Sequence, residues 1–184
     1  MFPIPPQYSL RLAEEFAEII FQDIDEDGYL AADKVTLLLC IAARMGATTL
    51  LNDLISKGVD VNEHDECGGT PLYYAIQSDT IEVVDLLICA RADINARDNH
   101  GRMPLHHAAR RKFEKCELLI KAGANVYVRD PDGKTPLNIA AVDGSPKTVK
   151  LLIEAGADIH AKSSGGVTPL AAALEMHDQG GNRG

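Results

Sequence analysis

The chain has 184 residues, of which 46% are hydrophobic and 24% are charged, proportions typical of a globular protein with a substantial core. Its 18 basic and 27 acidic side chains give a formal net charge of −9, which argues against general binding to nucleic acids or to anionic membranes. The sequence contains neither an apolar run near the ~20 residues that span a bilayer nor a secretory signal. We therefore expect a cytoplasmic protein, with a nuclear location left open, whose four cysteines are free thiols.

Residues 1–9 form a proline-rich leader that we predict to be flexible. Within the leader, Pro5-Pro6-Gln7-Tyr8 matches PPxY, the ligand pattern of WW domains, which bind a polyproline segment on an aromatic groove. A WW-domain protein is one predicted partner. A leader with no binding role explains the same four residues.

Residues 10–33 combine a predicted amphipathic helix with an acidic loop. The stretch DIDEDGYLAADK (23–34) resembles an EF-hand calcium loop. The carboxylates at its ligand positions one, three and five are Asp23, Asp25 and Asp27. Lys34 takes the twelfth position, where an EF-hand has a bidentate glutamate, and no second hand is present to pair with this one. We predict that the segment caps the repeats that follow, with no cofactor, and calcium binding stays open as the alternative.

From residue 34 onward the sequence repeats itself every 32 or 33 residues. The aligned copies are GGTPLYYAI (68–76), GRMPLHHAA (101–109), GKTPLNIAA (133–141) and GVTPLAAAL (166–174), preceded by a degenerate copy, LLLCIAARMG (37–46). Threonine followed by proline predicts the start of a short helix. A second helix follows and is predicted to end at a glycine such as Gly58, Gly123 or Gly156. One helix pair cannot bury its apolar face alone, so we expect the copies to stack.

These motifs resemble the ankyrin repeat. The resemblance implies an all-α ankyrin-repeat solenoid of helix–turn–helix pairs joined by β-hairpin-like turns, with an extra N-terminal helix. The implied repeat domain spans 34–178 and is followed by a flexible tail, 179–184. Its predicted repeats are 34–64, 65–97, 98–129, 130–162 and a partial one at 163–178. Two residues depart from the pattern: Met103 replaces the capping threonine, and Arg91 replaces the glycine that ends the second helix.

The resemblance also implies a binding surface, because hairpin tips and the exposed sides of the first helices line a groove in this family. The residues of this chain at those positions are His64, Glu66, Gln77, Arg97, Asn99, His100, Arg102, Arg110, Arg111, Arg129, Asp132 and Lys134. Basic side chains at contact positions of an acidic chain predict an adaptor that binds an acidic segment of another protein. A solvated surface without a partner is one alternative, and an adaptor that responds to calcium through residues 23–34 is another.

The adjacent His106 and His107 invite a metal or catalytic interpretation. Neighbouring residues of a helix point about 100° apart, so the two rings cannot easily share a metal. The resemblance implies that His106 bonds to loop groups and that His107 is buried between repeats. The sequence shows no nucleophile or acid that would converge on them, and we predict that the protein is not an enzyme.

Overall fold

The structure of the protein, a computed structural model, describes residues 32–110, 112–143 and 145–180. In these ranges it contains nine α-helices and no β-strand, which confirms the all-α fold class. The chain divides into two compact units between Asp98 and Asn99, and each unit is described by itself. The leader, the predicted N-terminal helix and most of the acidic loop lie outside the described residues.

The first unit contains two helix pairs. Its helices are α1 (Ala32–Met45), α2 (Thr48–Ser56), α3 (Pro71–Gln77) and α4 (Glu82–Cys89). Helix α1 packs against α3, and α2 packs against α4. First helices therefore lie beside first helices and second helices beside second helices, which is the arrangement expected of stacked repeats.

The second unit repeats the same plan. Its helices are α5 (Pro104–Ala108), α6 (Phe113–Lys121), α7 (Pro136–Val142), α8 (Pro146–Glu154) and α9 (Pro169–Gly180). Helix α7 packs against both α5 and α9, while α6 packs against α8. Helix α9 continues to Gly180, two residues beyond the end predicted for the partial repeat.

The core of each unit is made of residues that recur at the same repeat positions. Each of the three helix pairs that follow α2 buries one leucine from its first helix and one from its second, and their removal from water drives the packing. These leucines are Leu72 and Leu87, Leu105 and Leu119, and Leu137 and Leu152. Alanines with no exposed surface let the first helices approach closely. They are Ala75, Ala108 and Ala140.

The ends of the helices follow local rules that the sequence displays. The hydroxyls of Thr70 and Thr135 each accept a hydrogen bond at 3.3 Å from a backbone N–H of the first turn, as N-cap residues do. Gly123 and Gly156 end their helices at φ 93° and 92°, and Arg91 adopts the same left-handed conformation at φ 65°. The predicted glycine ends are confirmed for these two helices. In α4, Arg91 takes the left-handed position that favours glycine.

The hairpin-like turns between repeats are held by backbone hydrogen bonds. The N–H groups of Asp65, Asp130 and Ser163 each donate, at 3.0 Å, to the carbonyl oxygen four residues later. The side chains of Asp65, Asp130 and Ser163 in turn accept a hydrogen bond from the backbone N–H of the residue four positions later. Each tip is thus a rigid loop that presents its outer residues in a fixed geometry.

Candidate partner-binding site

The predicted site residues of the first unit do not form a common basic surface. His64 and Glu66 are exposed and line a cavity of about 390 Å³ together with Lys34. Gln77 is half-buried, and its amide oxygen accepts a hydrogen bond from Arg44. Arg97 is exposed. Three lining residues of this cavity are acidic, and Lys34 is the one lysine or arginine among them, so the cavity does not favour an anion.

In the second unit, several predicted residues stand at hairpin tips. Asn99, His100 and Asp132 are exposed there. Arg129 has a structural role, because its Nη1 donates hydrogen bonds to the carbonyl oxygens of Gly133 (2.8 Å) and Lys162 (2.6 Å). Arg129 therefore joins neighbouring hairpins. The remaining predicted arginine, Arg111, lies outside the described residues.

Arg102, Arg110 and Lys134 line one cavity of about 320 Å³ in the second unit. The structure thus brings together three of the predicted basic residues, which come from the α5 region and the hairpin before α7. The apolar part of the lining is Ile139, Val142, Val167 and Ala172. The other polar residues around the cavity are His106, His107, Asp130, Asn138, Asp143, Ser163 and Glu175.

Each of the three basic residues is paired with an aspartate. The Nε atom of Arg102 lies 3.7 Å from Oδ2 of Asp130, and the Nε atom of Arg110 lies 3.4 Å from Oδ2 of Asp143. Nζ of Lys134 lies 3.7 Å from Oδ2 of Asp132. These separations exceed the ~2.7–2.9 Å of a charge-assisted hydrogen bond.

The basic side chains remain accessible despite these pairs. Their exposed fractions are 37% for Arg102, 66% for Arg110 and 51% for Lys134. The Lys134–Asp132 pair, in which both side chains are exposed, contributes little to stability. The surface is therefore mixed in charge. Each basic side chain faces an aspartate but remains accessible to a ligand.

Asp130 is the residue of this site that sequence reasoning missed. Its side chain is 1% exposed, and Oδ1 accepts the backbone N–H of Lys134 at 2.8 Å. Oδ2 is buried and has no hydrogen-bond partner among the described residues. The corresponding Asp65 of the first unit is satisfied, because its Oδ2 accepts the hydroxyl of Tyr74 at 2.6 Å.

The difference between the two aspartates could have been read from the sequence. Tyr74 follows Asp65 by nine residues, and Ile139 follows Asp130 by the same nine. Isoleucine offers no donor. Comparing repeats for a lost hydrogen-bond donor, in addition to searching for charges, would have found this position.

The two histidines differ in role. His106 is buried, its Nδ1 accepts the backbone N–H of Met103 at 3.1 Å, and its Nε2 lies 3.2 Å from the carbonyl of Lys134. Because Nδ1 is an acceptor, Nε2 carries the proton and donates, so the structural role predicted for His106 is confirmed. His107 is half-buried and lines the cavity. The prediction that His107 is buried between repeats was wrong, because the residue is only half-buried and the cavity opens beside it.

Two of the four cysteines are buried, and all four are free thiols, as predicted. Burial raises the pKa of the Cys116 thiol to about 12. Burial, and to a smaller extent the charge of Asp65, raises the pKa of Cys40 to about 12 as well. Both buried thiols are therefore protonated at neutral pH and cannot act as nucleophiles.

The described residues include no cluster of three or more side chains suited to hold a metal ion. No helix among them is long and apolar enough to cross a membrane. The calcium interpretation of Asp23, Asp25 and Asp27 concerns residues outside the described ranges and stays a prediction. The same is true of the PPxY motif at residues 5–8.

Sequence comparisons match the repeats over most of the chain. The family model described as ankyrin repeats (3 copies) matches residues 39–130 and 113–181. The chain is 38% identical over 77 residues to the neurogenic locus Notch protein of Drosophila melanogaster, a match that covers 41% of this chain and 3% of that protein. It is 35% identical over 77 residues to an ankyrin repeat protein of fowlpox virus, covering 41% of this chain and 22% of that protein.

An enzyme is also among the similar proteins. The chain is 34% identical over 70 residues to an L-asparaginase of Dirofilaria immitis, a match that covers 38% of this chain and 12% of the enzyme. The chain thus covers less than a quarter of the length of each of these three relatives. All three matches are local.

Proposed function

Because the chain belongs to the ankyrin-repeat family, we propose that it is a non-enzymatic adaptor that binds an acidic segment of another protein. Ankyrin repeats in general mediate protein–protein interaction, and the finer statement concerns the cavity of the second unit. The observation that carries it is the convergence of Arg102, Arg110 and Lys134 on that cavity.

The geometry of Arg110 is suited to a carboxylate from outside. Its Nε lies 3.4 Å from Oδ2 of Asp143, and 66% of the side chain is exposed. A guanidinium carries five donors in a planar fork, and it can bind a second carboxylate through its outer edge. Lys134 at the hairpin tip adds a second accessible cation. A segment with two or more acidic side chains could contact both.

Electrostatics predicts how such a complex forms. The chain carries a net charge of −9, so an acidic partner is repelled at long range and attracted only near the cavity. Attraction between exposed charges is screened beyond roughly 8–10 Å at physiological salt. We therefore expect an affinity that falls as salt rises through the range in which the local contacts are screened.

A pair of double variants tests the proposed function. Wild type, Arg110→Ala/Lys134→Ala and the control Lys147→Ala/Lys150→Ala are immobilised and exposed to lysate of the source cell, and retained proteins are quantified by mass spectrometry. The control removes two exposed lysines of α8. Both variants should fold, because truncating exposed charges usually changes stability by less than ~0.5 kcal/mol.

The expected result is a set of proteins that wild type and the control retain and that Arg110→Ala/Lys134→Ala loses. Removing central contacts of an interface commonly costs about 2 kcal/mol or more. The lost proteins should contain acidic segments, and peptides of those segments should bind wild type directly. Equal retention by all three proteins, or equal loss from both variants, would refute the proposed site.

A further inference from the structure

A buried carboxylate oxygen lies at the cavity of the second unit without a hydrogen-bond donor. Asp130 lines that cavity, and its Oδ2 has no hydrogen-bond partner among the described residues. Nε of Arg102 lies 3.7 Å from it. Leaving a buried charged acceptor unsatisfied is costly and uncommon. A ligand in the cavity that displaces Arg102 could supply the missing donor.

The first unit shows which donor fits this hairpin. The hydroxyl of Tyr74 donates to Oδ2 of Asp65 at 2.6 Å. The tyrosine ring packs over Gly69, because a Cβ on that glycine would lie 2.7 Å from the ring. In the second unit the corresponding residues are Lys134 and Ile139. Neither residue has a hydroxyl that could donate to Oδ2 of Asp130. Because Lys134 carries a Cβ where Gly69 has none, a ring from outside would approach Asp130 from the cavity and not over the hairpin.

The walls of the cavity favour a neutral aromatic donor. Ile139, Val142 and Val167 offer an apolar surface to a ring. A cationic donor would have to share Asp130 with Arg102, whose Nε lies 3.7 Å from Oδ2, whereas a neutral hydroxyl adds no further positive charge beside that arginine. A volume of about 320 Å³ lies at the lower end of the roughly 300–1,000 Å³ found for ligand pockets. A single large side chain is a suitable occupant.

We propose that this cavity accepts a tyrosine side chain of the acidic partner segment and that the tyrosine hydroxyl donates a hydrogen bond to Oδ2 of Asp130. The inference rests on the proposed function and specifies its partner. Arg102 turns outward to an acidic side chain of the segment as the hydroxyl enters. Tyrosine is well suited to this role, because its ring buries apolar area while its hydroxyl finds a buried partner.

Selection from a phage-displayed library of random twelve-residue peptides on the full chain tests the inference without a known partner. We expect enriched peptides with one tyrosine between aspartates or glutamates. Replacing that tyrosine by phenylalanine in a synthetic copy should weaken binding ten- to a hundredfold, the equivalent of about 1.4–2.8 kcal/mol. Phosphorylating the tyrosine should also weaken binding, because the phosphate brings negative charge towards Asp130.

The variant Asp130→Ser separates a direct contact from a structural effect. Serine holds the same hairpin position at Ser163, whose hydroxyl accepts the N–H of Val167 at 3.3 Å, so the turn keeps its cap. The variant lacks Oδ2. We therefore expect it to bind the tyrosine and phenylalanine peptides with affinities within about twofold of each other. A purely structural role of Asp130 would instead weaken both peptides equally and preserve the difference between them.

A second variant fills the cavity with a tyrosine side chain of the protein itself. Lys134→Gly/Ile139→Tyr copies the Gly69 and Tyr74 pair of the first unit. Compared with Lys134→Gly alone, it should have a higher melting temperature and bind the selected peptides at least tenfold more weakly. Unchanged melting temperature and unchanged binding would count against the inference.

The outcomes distinguish the inference from the proposed function. Enriched acidic peptides that lose affinity with Arg110→Ala but tolerate phenylalanine would overturn the tyrosine contact and leave the acidic-segment site intact. Enriched peptides without acidic residues, peptides indifferent to Arg110→Ala, or no enrichment at all would overturn both.

Discussion

Arg91 is the only residue other than glycine with a positive φ in the described part of the chain. It ends α4 where Gly123 and Gly156 end the corresponding helices, and its N–H donates to the carbonyl of Ile88 at 3.0 Å. A β-carbon in this conformation costs on the order of 1 kcal/mol. The hydrogen bonds that hold the turn involve its backbone, so they do not depend on the side chain.

We therefore expect Arg91→Gly to raise the free energy of unfolding by roughly 0.5–1 kcal/mol, since glycine removes the strain but gains some entropy in the unfolded chain. Urea denaturation followed by circular dichroism measures this change. Arg91→Ala is the control and should remain close to wild type, because alanine keeps the β-carbon. A clear loss of stability in Arg91→Gly would mean that the arginine side chain anchors something.

Met103 is a second local departure from the repeat pattern. It stands at the N-cap of α5 without a side-chain cap hydrogen bond, whereas Thr70 and Thr135 cap α3 and α7. We expect Met103→Thr to raise the free energy of unfolding by about 1 kcal/mol. Thr135→Ala should lower it by a similar amount. If Met103→Thr is destabilised in thermal unfolding, the apolar contacts of this half-buried methionine outweigh a hydroxyl cap.

At the scale of the element, the hairpin before α3 shows how one side chain fixes a turn. Oδ1 of Asp65 accepts the N–H groups of Cys67 (3.0 Å) and Gly69 (2.8 Å), while Oδ2 accepts the Tyr74 hydroxyl. The carboxylate therefore joins the turn to the helix that follows. The Tyr74–Asp65 hydrogen bond holds α3 to the hairpin before it. Neither the length nor the apolar pattern of α3 predicts this bond.

Tyr74→Phe removes the hydroxyl that donates a hydrogen bond to Oδ2 of Asp65. We expect the free energy of unfolding to fall by about 1–3 kcal/mol, because a hydrogen bond to a half-buried carboxylate is lost. Tyr127→Phe is the matched control, because Tyr127 is 62% exposed and should tolerate the change. An equal, small effect of both substitutions in urea denaturation would contradict the importance of the Asp65 contact.

At the scale of the whole molecule, sequence reasoning succeeded where structure is local and repeated. The helix pairs, the Thr-Pro starts and the glycine ends follow from residues within a few positions of one another. The ion pair of Arg102 with Asp130 and the bond from Arg129 to the Lys162 carbonyl connect residues about 30 positions apart. These contacts depend on side-chain placement, which a sequence motif does not determine. For this reason the surface that was predicted to be basic contains cations paired with aspartates.

The buried thiols give the molecule a predictable response to alkali. The pKa of Cys116 in the folded protein is raised to about 12 by burial, whereas an unfolded thiol titrates near 8.5. As pH rises above that value, the unfolded state loses the proton first. The stabilising contribution is therefore complete below about pH 8.5 and is lost progressively as pH approaches 12. Cys40 acts in the same direction, as does Tyr74, whose pKa is raised by burial and by its bond to Asp65.

We expect the urea midpoint of the wild type to be lower at pH 10.5 than at pH 7.5, and Cys116→Ala to lose less stability between these two values. The variant should be less stable than wild type at pH 7.5, since alanine leaves a small cavity. Other alkaline titrations affect both proteins and cancel in the comparison. Cys89→Ala, which removes an exposed thiol, should follow the wild-type pH dependence. If Cys116→Ala and wild type lose equal stability, then the folded protein does not hold the Cys116 proton more tightly than the unfolded chain does.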